Sequence, residues 1–158
     1  MYRGIDSDTG LVASYRMNQV KGGSTSVPDS TGNGLNGTMT NMDTTADRRA
    51  SGAFAGPRQA ISLDGSPKYV EIADNPALDL SATYTLEAWI KPAGFNWLGA
   101  ILSKYNSDSA QGYVLRLGDT APYSSINFDA DTTANGVLTA GEWAAGESLY
   151  ACRMISKR

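Results

Sequence analysis

No histidine occurs anywhere in the 158 residues. That removes the commonest general base, the Ser-His and Cys-His nucleophilic pairs, and every imidazole metal site. Any metal here must be held by oxygen. There is one cysteine, Cys152, so no intramolecular disulfide can form. Thirteen Lys and Arg against sixteen Asp and Glu give a formal charge of −3, without the concentrated basic surplus that phosphate binding needs. The expectation is no nucleic-acid partner. No apolar run approaches the roughly 20 residues of a membrane span, and the opening stretch "MYRGIDSDTG" lacks the apolar centre of a signal peptide.

What is present points to turns and short strands. Seventeen glycines and six prolines punctuate a chain that is 41% hydrophobic, enough for one core and cramped for two. A single domain over 1–158 is therefore expected. Twelve of the sixteen acidic residues are Asp, which favours carboxylates in turns over carboxylates on helix faces.

Segments of period two recur along the chain. In "YTLEAWIKP", Tyr84, Leu86, Ala88 and Ile90 share one face, Thr85, Glu87, Trp89 and Lys91 the other, and Pro92 terminates the run. "GLVASYRM" (10–17), "GAILSKY" (99–105), "GYVLRLG" (112–118) and "SSINFDA" (124–130) read as further strands, and "NPALDLS" (75–81) as one short helical turn opened by proline. "QAISLDG" and "KYVEIAD" read as a hairpin closed by Asp64-Gly65-Ser66-Pro67. Near the end, "LYACRMISK" alternates weakly, leaving an edge strand and a disordered tail both open. Many short strands with regular turns and no strand–helix alternation predict an all-β, antiparallel two-sheet β-sandwich.

Taken in order, "GLVASYRMN", "DSTGNGLNGTMTN", "ISLDGSPKYVEIADNPALDLSATYTLEAWIKP" and "LTAGEW" resemble the laminin-G-like, concanavalin A-like lectin/glucanase superfamily in its bacterial jelly-roll branch, over Gly10 to Trp143. The resemblance implies two curved sheets, frequent calcium, and binding of sugars or other macromolecules by a module of a larger secreted protein, outside the cell or at its surface. After Trp143 the sequence departs from that pattern, and 144–158 reads as a divergent tail. The expectation is a sandwich incomplete at its carboxy-terminal end, with its exposed strands covered by a second copy in a homo-oligomer.

Three sites are suggested. Asp29, Ser30, Asn33 and Asn36 offer side-chain oxygen in "PDSTGNGLNG", while Gly32 and Gly34 allow the backbone to aim carbonyls inward. The resemblance implies that this loop helps hold a structural calcium; a turn stapled by Asx hydrogen bonds accounts for the same residues. "DTTANGVLTAGE" (131–142) nearly fits an EF-hand loop, but its strand-like flanks argue against one. For carbohydrate, a flat ring and fixed polar groups are needed. Trp97, in the loop-like "GFNWLG", is the candidate platform, with Asn96, Lys104 and Tyr123 as polar partners, whereas Trp89 and Trp143 read as packing residues. Glycoside hydrolysis requires two carboxylates facing one groove. No Glu-x-Asp-x-Glu run occurs, and Glu87 stands alone among Thr85, Trp89 and Lys91. The expectation is a non-catalytic, lectin-like module that binds carbohydrate or a glycosylated surface, with a structural self-assembling domain as the alternative.

Overall fold

The computed structural model describes residues 10–17, 23–49, 60–64, 67–80, 84–106, 108, 111–118, 120–130, 133–139 and 149–155. The fold is all-β with antiparallel sheets, and among the described residues the only helical element is the single 3-10 turn Pro76–Leu78. Asn75 opens that turn: its Oδ1 accepts the Ala77 N–H at 2.9 Å and its carbonyl the Leu78 N–H at 2.9 Å. Among the described residues no helix is long and apolar enough to cross a membrane. The chain divides into two compact units, Met1–Leu78 and Asp79–Arg158.

The amino-terminal unit contains β1 (Ser26–Val27), β2 (Gly37–Thr40), β3 (Arg48–Arg49), β4 (Ala60–Ile61) and β5 (Tyr69–Ile72). β1, β2 and β5 form a three-stranded sheet with β2 central; β3 and β4 form a separate two-stranded ribbon. In the three-stranded sheet Val27 of β1 and Met39 of β2 are buried, with Tyr15, Met17, Met42, Ile61 and Val70 packed around them. The hairpin expected between 59–65 and 68–74 does not form. β4 pairs with β3, and β5 pairs with β2 in the register Met39↔Val70. Packing decides this: a Cβ on Gly37 would lie 2.6 Å from Val70 Cγ1, so a glycine in β2 lets β5 close over it. Residues 10–17, expected as a strand, run as irregular backbone instead.

The carboxy-terminal unit contains β6 (Tyr84–Ile90), β7 (Ala100–Asn106), β8 (Gln111–Leu117), β9 (Ile126–Ala130), β10 (Thr133–Thr139) and β11 (Leu149–Ile155). β7 to β10 form a four-stranded meander in sequence order, and β11 pairs with β6 along all seven residues, from Leu149↔Ile90 to Ile155↔Tyr84. The weakly alternating end of the chain is therefore a strand over 149–155. Leu86 of β6 packs with Tyr113, Leu115 and Leu117 of β8 and Ile126 and Phe128 of β9, so β6 lies over the meander's inner face. Tyr84, Ala88 and Ile90 point the same way, as their period of two requires, while Thr85, Glu87 and Trp89 are exposed. Phe128, Leu115 and Ile126 are almost wholly buried, each worth about 1.5–3 kcal/mol by removal of apolar surface from water. This core is the frame on which the carboxy-terminal loops are mounted.

Candidate functional site

Asp29 sits where residues 10–17 meet the 28–36 loop, and its carboxylate is a hub. Oδ1 accepts the N–H of Ser14 (3.1 Å) and of Thr31 (3.0 Å), and Oδ2 accepts the Leu35 N–H (3.3 Å). The Thr31 hydroxyl lies 2.8 Å from Oδ1 and 2.7 Å from Oδ2. Asn36 Oδ1 accepts the Asp29 N–H at 2.9 Å, and Asn33 Nδ2 donates to the carbonyls of Leu11 (3.2 Å) and Val12 (2.9 Å). Gly32 and Gly34 supply the positive φ angles, +85° and +78°, that let the loop fold back on itself. Burial raises the Asp29 carboxyl pKa, but the hydrogen bonds from Thr31, Ser14 and Leu35 outweigh it and hold the carboxyl below its ordinary 3.8.

A calcium ion at Asp29 would have to displace these donors. Calcium requires six to eight oxygens turned inward, whereas here N–H and O–H groups occupy both carboxylate oxygens and an N–H occupies the Asn36 oxygen. Ser30 Oγ is buried without a hydrogen-bond partner. The carboxylate works instead as an Asx staple joining two segments of backbone. Among the described residues no group of three or more Cys, Asp or Glu side chains is placed to hold a metal. In the EF-hand-like segment, 133–139 is strand β10 paired with β9, not a coordinating loop; the flanking positions 131, 132 and 140–142 lie outside the described residues.

The sugar-binding candidates separate into two groups. Residues 91–99 connect β6 to β7, and Phe95 anchors this loop by packing against the core of its unit. The Asn96 carbonyl accepts the Gly99 N–H at 3.2 Å, which closes a turn with Trp97 and Leu98 at its corner. Leu98 has φ +53° in the third position of that turn, where glycine or asparagine is the usual occupant. Trp97 is 65% exposed and Leu98 39%. Asn96 is exposed beside them.

Gly118 and residues 120–125 lie against the base of this loop. Leu117 N–H donates to the Gly99 carbonyl at 2.8 Å, and Leu98 N–H reaches the Gly118 carbonyl at 3.5 Å. Tyr123, half-buried, sits on that turn with φ +65°, its N–H bonded to the Thr120 carbonyl at 2.8 Å. A register shift between Ala100 and Leu102 marks a bulge where β7 leaves the rim. Trp97, Asn96 and Tyr123 thus share one end of the unit, with left-handed non-glycine residues in both turns, Leu98 and Tyr123, and a bulge after Ala100. Such strain costs about 1–3 kcal/mol per residue and concentrates where a surface has a task.

Lys104 does not belong to this rim. It lies near the far end of β7, opposite Tyr113 in register, and forms an ion pair with Asp79. Asp79, Tyr105, Asn106, Gln111 and Gly112 join it around an open depression of about 400 Å³. Sequence reasoning named none of these neighbours. The signal was the hairpin register: with the tip at 107–110, Asn106 must face Gln111, as it does. Leu98 was also missed, because nothing in its identity marks a left-handed backbone. Trp143 lies outside the described residues, and Trp89 is 43% exposed on the outer face of β6. Elsewhere, Glu71 stands opposite Thr38 and Glu87 opposite Cys152, each without a second carboxylate on its strand face. No protein-family model, curated protein or solved structure matches the chain.

Proposed function

We propose that this chain is a non-catalytic, lectin-like module of concanavalin A-like jelly-roll type, acting outside the cell or at its surface, and that the rim formed by Trp97, Asn96 and Tyr123 binds carbohydrate or a glycosylated surface. One observation carries the reading: an indole 65% exposed at the corner of a turn whose backbone is held in an unfavourable conformation. A ring of that size ordinarily buries most of its apolar face. A pyranose lying against it would remove that face from water, with Asn96 in the same turn and Tyr123 in the adjoining one as candidate partners for its hydroxyls. No step of this reading runs through calcium. A glycan array probed with the native chain and with Trp97→Ala tests it. Signals present for the native chain and lost in the variant support the reading; a native chain silent across the array overturns it.

The second reading is a self-assembling structural domain. Trp89, 43% exposed on β6 beside the exposed Thr85 and Glu87, favours it, because an apolar ring on an outer strand face suits contact with another copy. Sedimentation velocity across a wide concentration range discriminates: a single monomer species throughout removes this alternative.

A further inference from the structure

We infer that the depression at the far end of the β7–β8 hairpin from Trp97 is a second ligand site, built for a neutral, polyhydroxylated molecule. Its lining is polar and charge-compensated. Lys104 Nζ and Asp79 Oδ1 form an ion pair, with the side chains 32% and 67% exposed, so donor and acceptor are both presented to solvent while the net charge stays near zero. The Gln111 and Asn106 carboxamides, exposed and opposite each other in register, each offer N–H donors, and Tyr105 and Gly112, opposite each other in the next register position, complete the lining. Gln111 and the Tyr105 hydroxyl make no side-chain hydrogen bond among the described residues. Asn106 uses only its Oδ1, which accepts the Asp108 N–H at 2.9 Å.

The floor is preformed. Gly112 has φ +93°, and a Cβ there would lie 1.9 Å from the Lys104 carbonyl oxygen, so only glycine lets the two strands approach behind the depression. A vicinal diol needs this combination: one partner that accepts, several that donate, and no net field to favour an ion. A strongly anionic or cationic ligand would meet the opposite partner of the Asp79–Lys104 pair together with its own, so the pair favours neither charge. Six residue steps along β7 separate the depression from the rim by about 20 Å, so the two sites would engage different sugars of an extended glycan or two separate glycans.

This inference shares its ligand class with the reading proposed for the rim, and the test separates them. The ¹⁵N-labelled full chain is titrated with cellobiose, lactose and maltose, following the carboxamide resonances of Asn106 and Gln111 together with the Trp97 indole N–H. Saturable movement of the carboxamides with at least one disaccharide, unchanged in Trp97→Ala and weakened about tenfold in the Asn106→Ala/Gln111→Ala double variant, supports the second site. Both substituted residues are exposed, and the backbone amide spectrum of the variant verifies its fold. Movement of the indole alone leaves the rim reading standing and overturns this one; stillness of both sets also overturns it. Glucuronate binding more tightly than every neutral disaccharide would assign the depression to anions and overturn the proposal.

Discussion

The 28–36 loop and the 91–99 loop are alike in composition and opposite in construction. Each carries an asparagine and a glycine at a tight turn. In the first, the side chains of Asp29, Asn33 and Asn36 are turned onto the protein's own backbone: Asp29 serves three N–H groups and a hydroxyl, Asn33 two carbonyls, and Asn36 the Asp29 N–H. In the second, the turn closes through main chain alone, and Asn96, Trp97 and Leu98 face water. Polar richness therefore marks the stapled loop, and an exposed ring on strained backbone marks the available one. The comparison teaches that a cluster of oxygens is a binding site only if something other than the protein's own N–H groups is left to meet it.

The largest expected effect comes from breaking the staple. Asp29→Ala leaves the N–H groups of Ser14, Thr31 and Leu35 without their acceptor, at an expected cost of about 3 kcal/mol for bonds to a charged group. Urea unfolding followed by tryptophan fluorescence measures it, and a loss within 0.5 kcal/mol would show that water replaces the carboxylate without penalty. Repeating the native measurement with excess calcium and with chelator sharpens the contrast. A carboxylate already occupied by donors gives identical midpoints, whereas a calcium-bound loop would gain stability in proportion to the logarithm of the ion's concentration.

Trp97→Ala is expected to invert that outcome: stability within about 0.5 kcal/mol of the native chain, as for other exposed positions, with glycan binding weakened by tenfold or more on loss of the ring's apolar face. Calorimetry and isothermal titration on one preparation give both numbers. If stability falls by several kcal/mol, the indole packs in solution and the rim is part of the core.

Strand positions were legible in the sequence wherever the period of two was clean. Tyr84, Leu86, Ala88 and Ile90 turn inward as their alternation says, and Asn75-Pro76 opens a helical turn. Pairing was not legible. β4 and β5 are joined by a hairpin-like Asp-Gly, yet β5 adds to β2, because the contact that selects it, Val70 over Gly37, involves residues 33 positions apart in the sequence. The candidate site was half legible for the same reason. Asn96, Trp97 and Tyr123 fall together, while Lys104, seven residues beyond Trp97, is carried by an extended strand to the opposite end of the hairpin. Nearness in sequence means separation in space when the intervening residues are β.

Acid should expose the staple through linkage. Because Asp29 is held below 3.8 when folded, its contribution is fully present above the unfolded value and is lost as pH falls through the lower folded value. Native chain and Asp29→Asn are therefore expected to differ most near neutral pH and to converge progressively as pH falls below 3.8. The difference at neutral pH is expected to be about 1–2 kcal/mol, since the amide keeps one acceptor oxygen. Curves that stay parallel down to acid would mean that other carboxylates govern the transition and that Asp29 carries no native-state advantage.

The smallest expected effect probes strain on the other loop. Leu98 at φ +53° pays for a left-handed backbone that glycine adopts freely, but glycine also gives the unfolded chain more freedom to lose. These terms oppose each other, so Leu98→Gly should stabilise by only about 0.5 kcal/mol. Leu98→Ala is the control: it removes the same side chain and keeps the strain, so it should gain nothing. A gain in the glycine variant alone identifies stored backbone strain at the rim. Equal losses in both would show that the leucine side chain, 39% exposed, earns its place by packing, and the 91–99 loop would then resemble the stapled loop in kind, held by contacts of its own side chains.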